Sequence, residues 1–397
     1  MKTDWLPLII VAALSLLVVP PAVADELSAD EVKQLRELLQ KQASSDVTFT
    51  IGAHVNRAVN VVDDGVRTTT YFVDSSNYPT LLYVKGTKQY NDDLSVTGHI
   101  EYALQQNAAT SVSQDNQETG LETSSRFFEL IADSKSFGTF WVGRGFMSSF
   151  MATEIDKSET WRYNLLSPGN SFGGVKFTNK SDGSLTDIPV LSMFLDVEAF
   201  SFRDRVRYDS PAWHGLQVSG SAGSGDSGDV TLRWIQQLGG FSLFAGASYQ
   251  NNPLVGRIDE RSDGGIGVFH EPTGLNLSVG AVRQKFSPDF YQQFSRTEGD
   301  NDGWIARVGI RKNWFGPGET RFAVDFSRSR DALYKADEAD SVGVFTGQMI
   351  DKLNLELYAG YRGYKYDAGP NSGGLDLNDI HAFVVGTRIG FDVNLMK

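Results

Sequence analysis

The chain has 397 residues, 40 of them glycine and none cysteine, so disulfides and thiolate metal sites are excluded. A net charge of −13 argues against nucleic acid as a partner. The length admits two ordinary soluble domains or one large barrel.

Lys2 gives a positive start, Leu6 to Val19 is an apolar run, and Ala22-Val23-Ala24 is a small-x-small cleavage site before Asp25. Residues 1–24 therefore read as a signal peptide. The run is shorter than the ~20 residues of a spanning helix, which weighs against a retained anchor. Farther on, Val32, Leu35, Leu39 and Gln42 take heptad-like positions among charged residues, predicting a short amphipathic helix within 25–46. Three roles stay open for it: association around an oligomer axis, contact with the cell wall, or a merely solvated leader.

From Val47 onward the period changes to two. Sixteen segments are expected as strands: 47–59, 79–90, 94–105, 124–133, 138–146, 202–209, 215–222, 229–238, 241–250, 264–271, 275–286, 303–314, 320–330, 340–350, 353–366 and 379–392. In the last, Phe383, Val385, Ile389 and Phe391 fall on one side, with Ala382, Val384, Gly386 and Arg388 on the other. One apolar face and one small or polar face is the pattern of a strand between hydrocarbon and water. Short connections such as Asn91-Asp92-Asp93 and Gly239-Gly240 carry turn chemistry. Polar stretches at 60–78, 106–123, 251–263, 287–302 and 367–378 are expected as long loops. The predicted fold is an all-β transmembrane antiparallel barrel over 47–397. A soluble all-β protein is the competing reading, but its outer faces would carry more charge.

One connection is much longer. About 55 residues separate the strands ending at Phe146 and starting at Phe202. Its beginning, Gly145 to Asp156, is apolar except for Glu154 and Asp156, which suits a loop folded inside the barrel. Immediately after it, Arg203, Arg205 and Arg207 share one parity, while Phe202, Val206 and Tyr208 share the other. With the apolar set against lipid, three guanidiniums form a column in the lumen. A constriction of about 145–201 is then expected, acid on one wall and base on the other, with a field that filters solutes. Arg233, Arg307, Arg311 and Arg362 are further inward candidates by parity, of which Arg233 and Arg311 are assigned to the constriction. A salt-bridge lattice that pins the loop to the wall is the plainer alternative.

These residues resemble the Gram-negative general diffusion porins, trimeric sixteen-stranded barrels of the outer membrane. The resemblance covers the barrel and is strongest in Phe137-Gly138-Thr139-Phe140-Trp141-Val142-Gly143-Arg144, in Glu154-Ile155-Asp156, and in Arg205-Val206-Arg207-Tyr208-Asp209-Ser210-Pro211. It implies a third loop folded inward, Glu154 and Asp156 on its acidic side, and Arg203, Arg205 and Arg207 on the facing wall. It also implies a homotrimer that passes small hydrophilic solutes and ions without cofactor or catalysis. Outer-membrane lipid, lipopolysaccharide and the barrel-assembly machinery are the implied partners. Two departures stand out: residues 392–397 follow Phe391, where the family ends on an aromatic residue, and the stretch from Trp161 to Ser201 exceeds a simple eyelet loop.

Two rival functions remain. A substrate-selective channel is suggested by Tyr358, Tyr364 and Tyr366 at inward parity. An outer-membrane barrel hydrolase would need a His with Asp or Ser partners near the rim, and no such spacing is apparent for the five histidines. Gly225-Asp226-Ser227-Gly228 reads as a turn, and Gly264-Gly265-Ile266-Gly267 does not open a helix as a nucleotide loop would.

Overall fold

The computed structural model describes residues 47–153, 155–197, 202–254, 257–288 and 300–396. The leader expected at 1–24, the helix expected within 25–46, and Glu154 lie outside them.

The strands are β1 (Val47–Asp63), β2 (Thr68–Asp74), β3 (Leu81–Gln89), β4 (Leu94–Gln106), β5 (Leu121–Ser134) and β6 (Gly138–Phe146). Within the long loop lie β7 (Lys176–Thr178) and β8 (Leu185–Pro189). The wall resumes with β9 (Phe202–Asp209), β10 (Leu216–Gly223), β11 (Ser227–Leu238), β12 (Phe241–Leu254), β13 (Ile258–His270) and β14 (Leu275–Phe286). It ends with β15 (Asp300–Phe315), β16 (Gly318–Arg330), β17 (Glu338–Ile350), β18 (Leu355–Asp367) and β19 (Ile380–Met396). Neighbours pair antiparallel, and β19 pairs β1 from Asp63↔His381 to Phe49↔Met396, which closes the barrel. Strands β2 and β3 share one place, β2 along the upper half of β1 and β3 along its lower half. The seventeen-stranded sheet therefore has sixteen wall positions. Closure satisfies every ladder and leaves no edge in lipid.

The period of two sets the faces. Leu130, Val206, Ile266, Phe383 and Val385 point outward and are at least half exposed. Inward positions carry Gly, Ser, Asn and charged residues. This is the apolar belt of a membrane barrel.

Several expected boundaries move. The polar stretches at 60–78 and 251–263 are largely strand: β1 reaches Asp63, β2 follows, and only a few residues separate β12 from β13. The segment after Phe391 is strand too, paired with β1 as far as Met396, so Phe391 does not end the last strand. Both changes have one cause. These strands rise past the hydrocarbon, where both faces meet water and the alternation fades. The stretch 161–201 does form local structure, with the β7–β8 hairpin followed by a single helical turn at Val190–Met193.

Candidate functional site

The long loop runs as a belt around the inside of the wall. At its start the Ser149 N–H donates to Asp229 Oδ2 at 2.7 Å, and the Ser148 N–H to Ser221 Oγ at 2.8 Å. Arg233 Nη2 holds the carbonyls of Ser148 and Phe150, each at 2.5 Å. Thr153 Oγ1 then donates to Asp263 at 2.8 Å, and the Lys157 N–H to Asn276 Oδ1 at 3.1 Å.

Inward glycines make this course possible. A Cβ at Gly246 would stand 2.0 Å from the Ala152 carbonyl oxygen, and one at Gly265 would stand 2.5 Å from that of Thr153. Gly265 and Gly267, in the run set aside as a nucleotide motif, are thus seats for the loop. Gly246→Val is expected to lift the belt from the wall at an overpacking cost of about 1–3 kcal/mol. Faster protease cleavage of the loop in the folded barrel would report it, and unchanged cleavage would argue against the seat.

The belt ends in a buried ion network. Asp156, with no side-chain exposure, accepts from Arg307 Nη1 at 2.8 Å, Asn276 Nδ2 at 3.2 Å, Ser158 Oγ at 2.5 Å and Thr160 Oγ1 at 3.0 Å. Asp325 takes Arg307 Nη2 at 3.1 Å, Arg362 Nη1 at 2.8 Å and Asn164 Nδ2 at 2.8 Å. Both aspartates and both arginines are shut from water, so each charge depends on its partners. From Tyr163 the chain climbs through an apolar core that includes Phe172, Val175, Phe177, Met193 and Phe194. Tyr163 stacks on Tyr358 with centroids 4.8 Å apart. The Leu195 N–H bonds Ser329 Oγ at 2.9 Å on the way back. At the loop rim, the Ser113 hydroxyl donates to Asp115 at 2.6 Å and Lys176 Nζ clasps it at 2.9 Å, and together they hold the pKa of that carboxyl down to about 2.

The predicted arginine column is present, yet Asp156 does not face it across a gap. Arg205 is buried and spends Nη2 on Glu129 at 2.5 Å, Nε on the Phe146 carbonyl and Nη1 on that of Gly143. Arg207 forks onto Asp209 at 2.8 and 2.9 Å and reaches the Met147 carbonyl. Among the described residues, Arg203 bonds the Pro253 carbonyl at 2.8 Å. Asp156 sits with Arg307, far along the belt, because the loop travels around the wall rather than across the lumen. Arg311 meets Glu159 at 3.5 Å, half out in water. Phe202, expected against lipid, packs with Phe146 at 4.3 Å instead. The inward tyrosines 358, 364 and 366 are buried under the loop and line no open passage.

The other side of the wall is not tied to the belt in this way. Among the described residues, no hydrogen bond joins loop residues 148–197 to β3–β6. Here stand two groups of rings that periodicity did not reveal. On the wall, Phe127, Phe146 and Phe202 meet at 4.3–5.5 Å, Phe150 of the loop stacks on Phe146, and Arg126 lies over Phe202 at 4.7 Å. Next to them, Tyr78 meets Trp161 at 5.3 Å, and Arg162 lies over Trp161 at 4.7 Å. Arg388 lies over Tyr78 at 5.8 Å, and Glu101, the partner of Arg126 at 2.6 Å, pairs with Tyr83 on β3, the strand that Tyr78 leads into, so the two groups are neighbours along the wall.

No protein-family model matches this sequence, and no curated protein does. Solved structures do match in fold. An anion-selective porin from Comamonas acidovorans shares 14% identity over 87% of this chain and 100% of that one, with a TM-score of 0.58. A loop-deletion mutant of OmpT, an outer membrane protein of Vibrio cholerae, shares 14% over 87% and 100%, at 0.57. The outer membrane channel DcaP of Acinetobacter baumannii shares 12% over 88% and 99%, at 0.52. The fold they share with this chain, with its apolar belt, is that of a multi-pass outer-membrane β-barrel.

Proposed function

We propose that the chain forms a water-filled channel for passive diffusion of small hydrophilic solutes and ions across the outer membrane. The observation that carries this reading is one-sided filling. A belt with its own core occupies the lumen along β10–β19, while among the described residues it makes no hydrogen bond to β3–β6, where Tyr83, Thr97 and Phe127 keep partial exposure. Such a passage needs no catalytic step and no cofactor. In the same reading, 1–24 directs export and is removed, 25–46 contacts the cell wall, and the barrel assembles as a homotrimer among lipid and lipopolysaccharide. Delivery by the barrel-assembly machinery goes with it. The trimer and these partners rest on the family resemblance.

Within that channel the passage between the ring groups is the constriction. Of the residues expected there, Arg203, Arg207, Arg233 and Arg311 retain partial exposure, and Arg205 and Asp156 act as anchors behind it. Purified protein added to a planar lipid bilayer should give stepwise conductance increments. A preparation that stays folded and gives none would sink the proposal.

A further inference from the structure

The passage is built as a binding site as well as a sieve. Its arginines differ from those of the anchor network in how they are used. A guanidinium offers five N–H donors. Arg126 gives Nε to Glu101 at 2.6 Å, Arg162 gives Nη1 to Glu159 at 2.8 Å, and Arg388 gives Nε to Glu356 at 3.1 Å. These are the hydrogen bonds the described residues provide for the three. Their side chains keep 18, 23 and 10% exposure, whereas those of Arg307 and Arg362 keep none. Donors are therefore left for something that enters the passage.

The rings give the second half of the site. Tyr78, Trp161, Phe127 and Phe146 are each partly exposed, and the three arginines lie against Phe146, Trp161 and Tyr78. Half-exposed aromatic faces gain little from water and gain by stacking on another flat group. A planar fork beside a ring matches a carboxylate attached to a flat apolar body. Simple inorganic ions use the charges but not the rings.

We infer that the passage around Tyr78 binds small organic anions that carry one carboxylate on a flat apolar ring. This rests on the channel reading and names the solute class for it. Three probes separate the contributions: benzoate has ring and charge, acetate only the charge, and benzyl alcohol only the ring. In bilayers carrying the full-length protein in potassium chloride, benzoate should interrupt the current at about tenfold lower concentration than either of the others. Trp161→Ala should raise the benzoate concentration for half-block about tenfold, and Arg126→Gln should bring benzoate level with benzyl alcohol. Stepwise conductance with equal block by benzoate and acetate would overturn the inference and leave the channel standing. So would block by benzoate that Trp161→Ala does not change. The comparison of probes needs only the unaltered protein, so a variant that fails to fold does not decide it. Absence of any conductance is the separate failure of the channel reading.

Discussion

Asp156→Ala is expected to destabilise the folded barrel by roughly 3–5 kcal/mol, because it leaves Arg307 buried with a carboxylate missing. Arg307 keeps Asp325 at 3.1 Å, but Asp325 also carries Arg362 and Asn164. One carboxylate then faces two guanidiniums where two did before. The belt around Asp156 loses its acceptor for Ser158, Thr160 and Asn276 at the same time. Urea unfolding in detergent should show the loss, with protease cutting in the loop before the wall opens. Single-channel steps should grow, since the belt no longer holds to the wall. A filter role predicts something else: a shift of reversal potential toward anions at unchanged stability. That result would put Asp156 in open water and remove the anchor.

Much of the fold was legible because lipid imposes a strict period. Strands 138–146, 202–209 and 275–286 were read to the residue, since alternation there is set against hydrocarbon and bounded by tight turns. Legibility fails where strands leave the lipid. Asp259, Glu260, Arg261 and Asp263 look like a loop by composition, yet Arg261 and Asp263 point inward on β13 and pair at 3.0 Å. Inside the barrel the difficulty is different. Glycine and serine on the inner face suggested a wet wall, whereas at Gly246 and Gly265 they are the surface on which a second layer of chain rests. Parity states which way a residue points but not what covers it. That is why Tyr358 and Arg205 looked like lumen groups and prove to be buried. Nor could spacing join Tyr78, Arg126, Trp161 and Phe202, which come from four separate parts of the chain. Glu101 and Arg126 meet because Arg126 is the extra residue of a bulge in β5, next to Phe127, which stands opposite Glu101.

Two of the three arginines that parity makes equivalent should behave very differently when replaced. Arg205→Gln is expected to cost roughly 3–5 kcal/mol, the penalty for stranding Glu129 in a site where neither side chain keeps more than 1% exposure. His99 at 3.3 Å from Glu129 is the one other side chain that meets this carboxylate among the described residues. Two carbonyls, those of Gly143 and Phe146, lose their donor as well, just where the loop leaves the wall. Arg203→Gln should cost about 1 kcal/mol or less. Glutamine keeps a donor for the Pro253 carbonyl and removes a buried Nε that finds no acceptor among the described residues. Arg203 is also partly exposed near the loop rim, so its loss should move the reversal potential toward cations while the barrel unfolds at its usual urea concentration. Measured side by side, the pair separates anchoring from filtering: one variant changes stability, the other changes selectivity. Equal shifts in reversal potential for both, with no loss of stability at Arg205, would restore the column as a uniform lining of the pore.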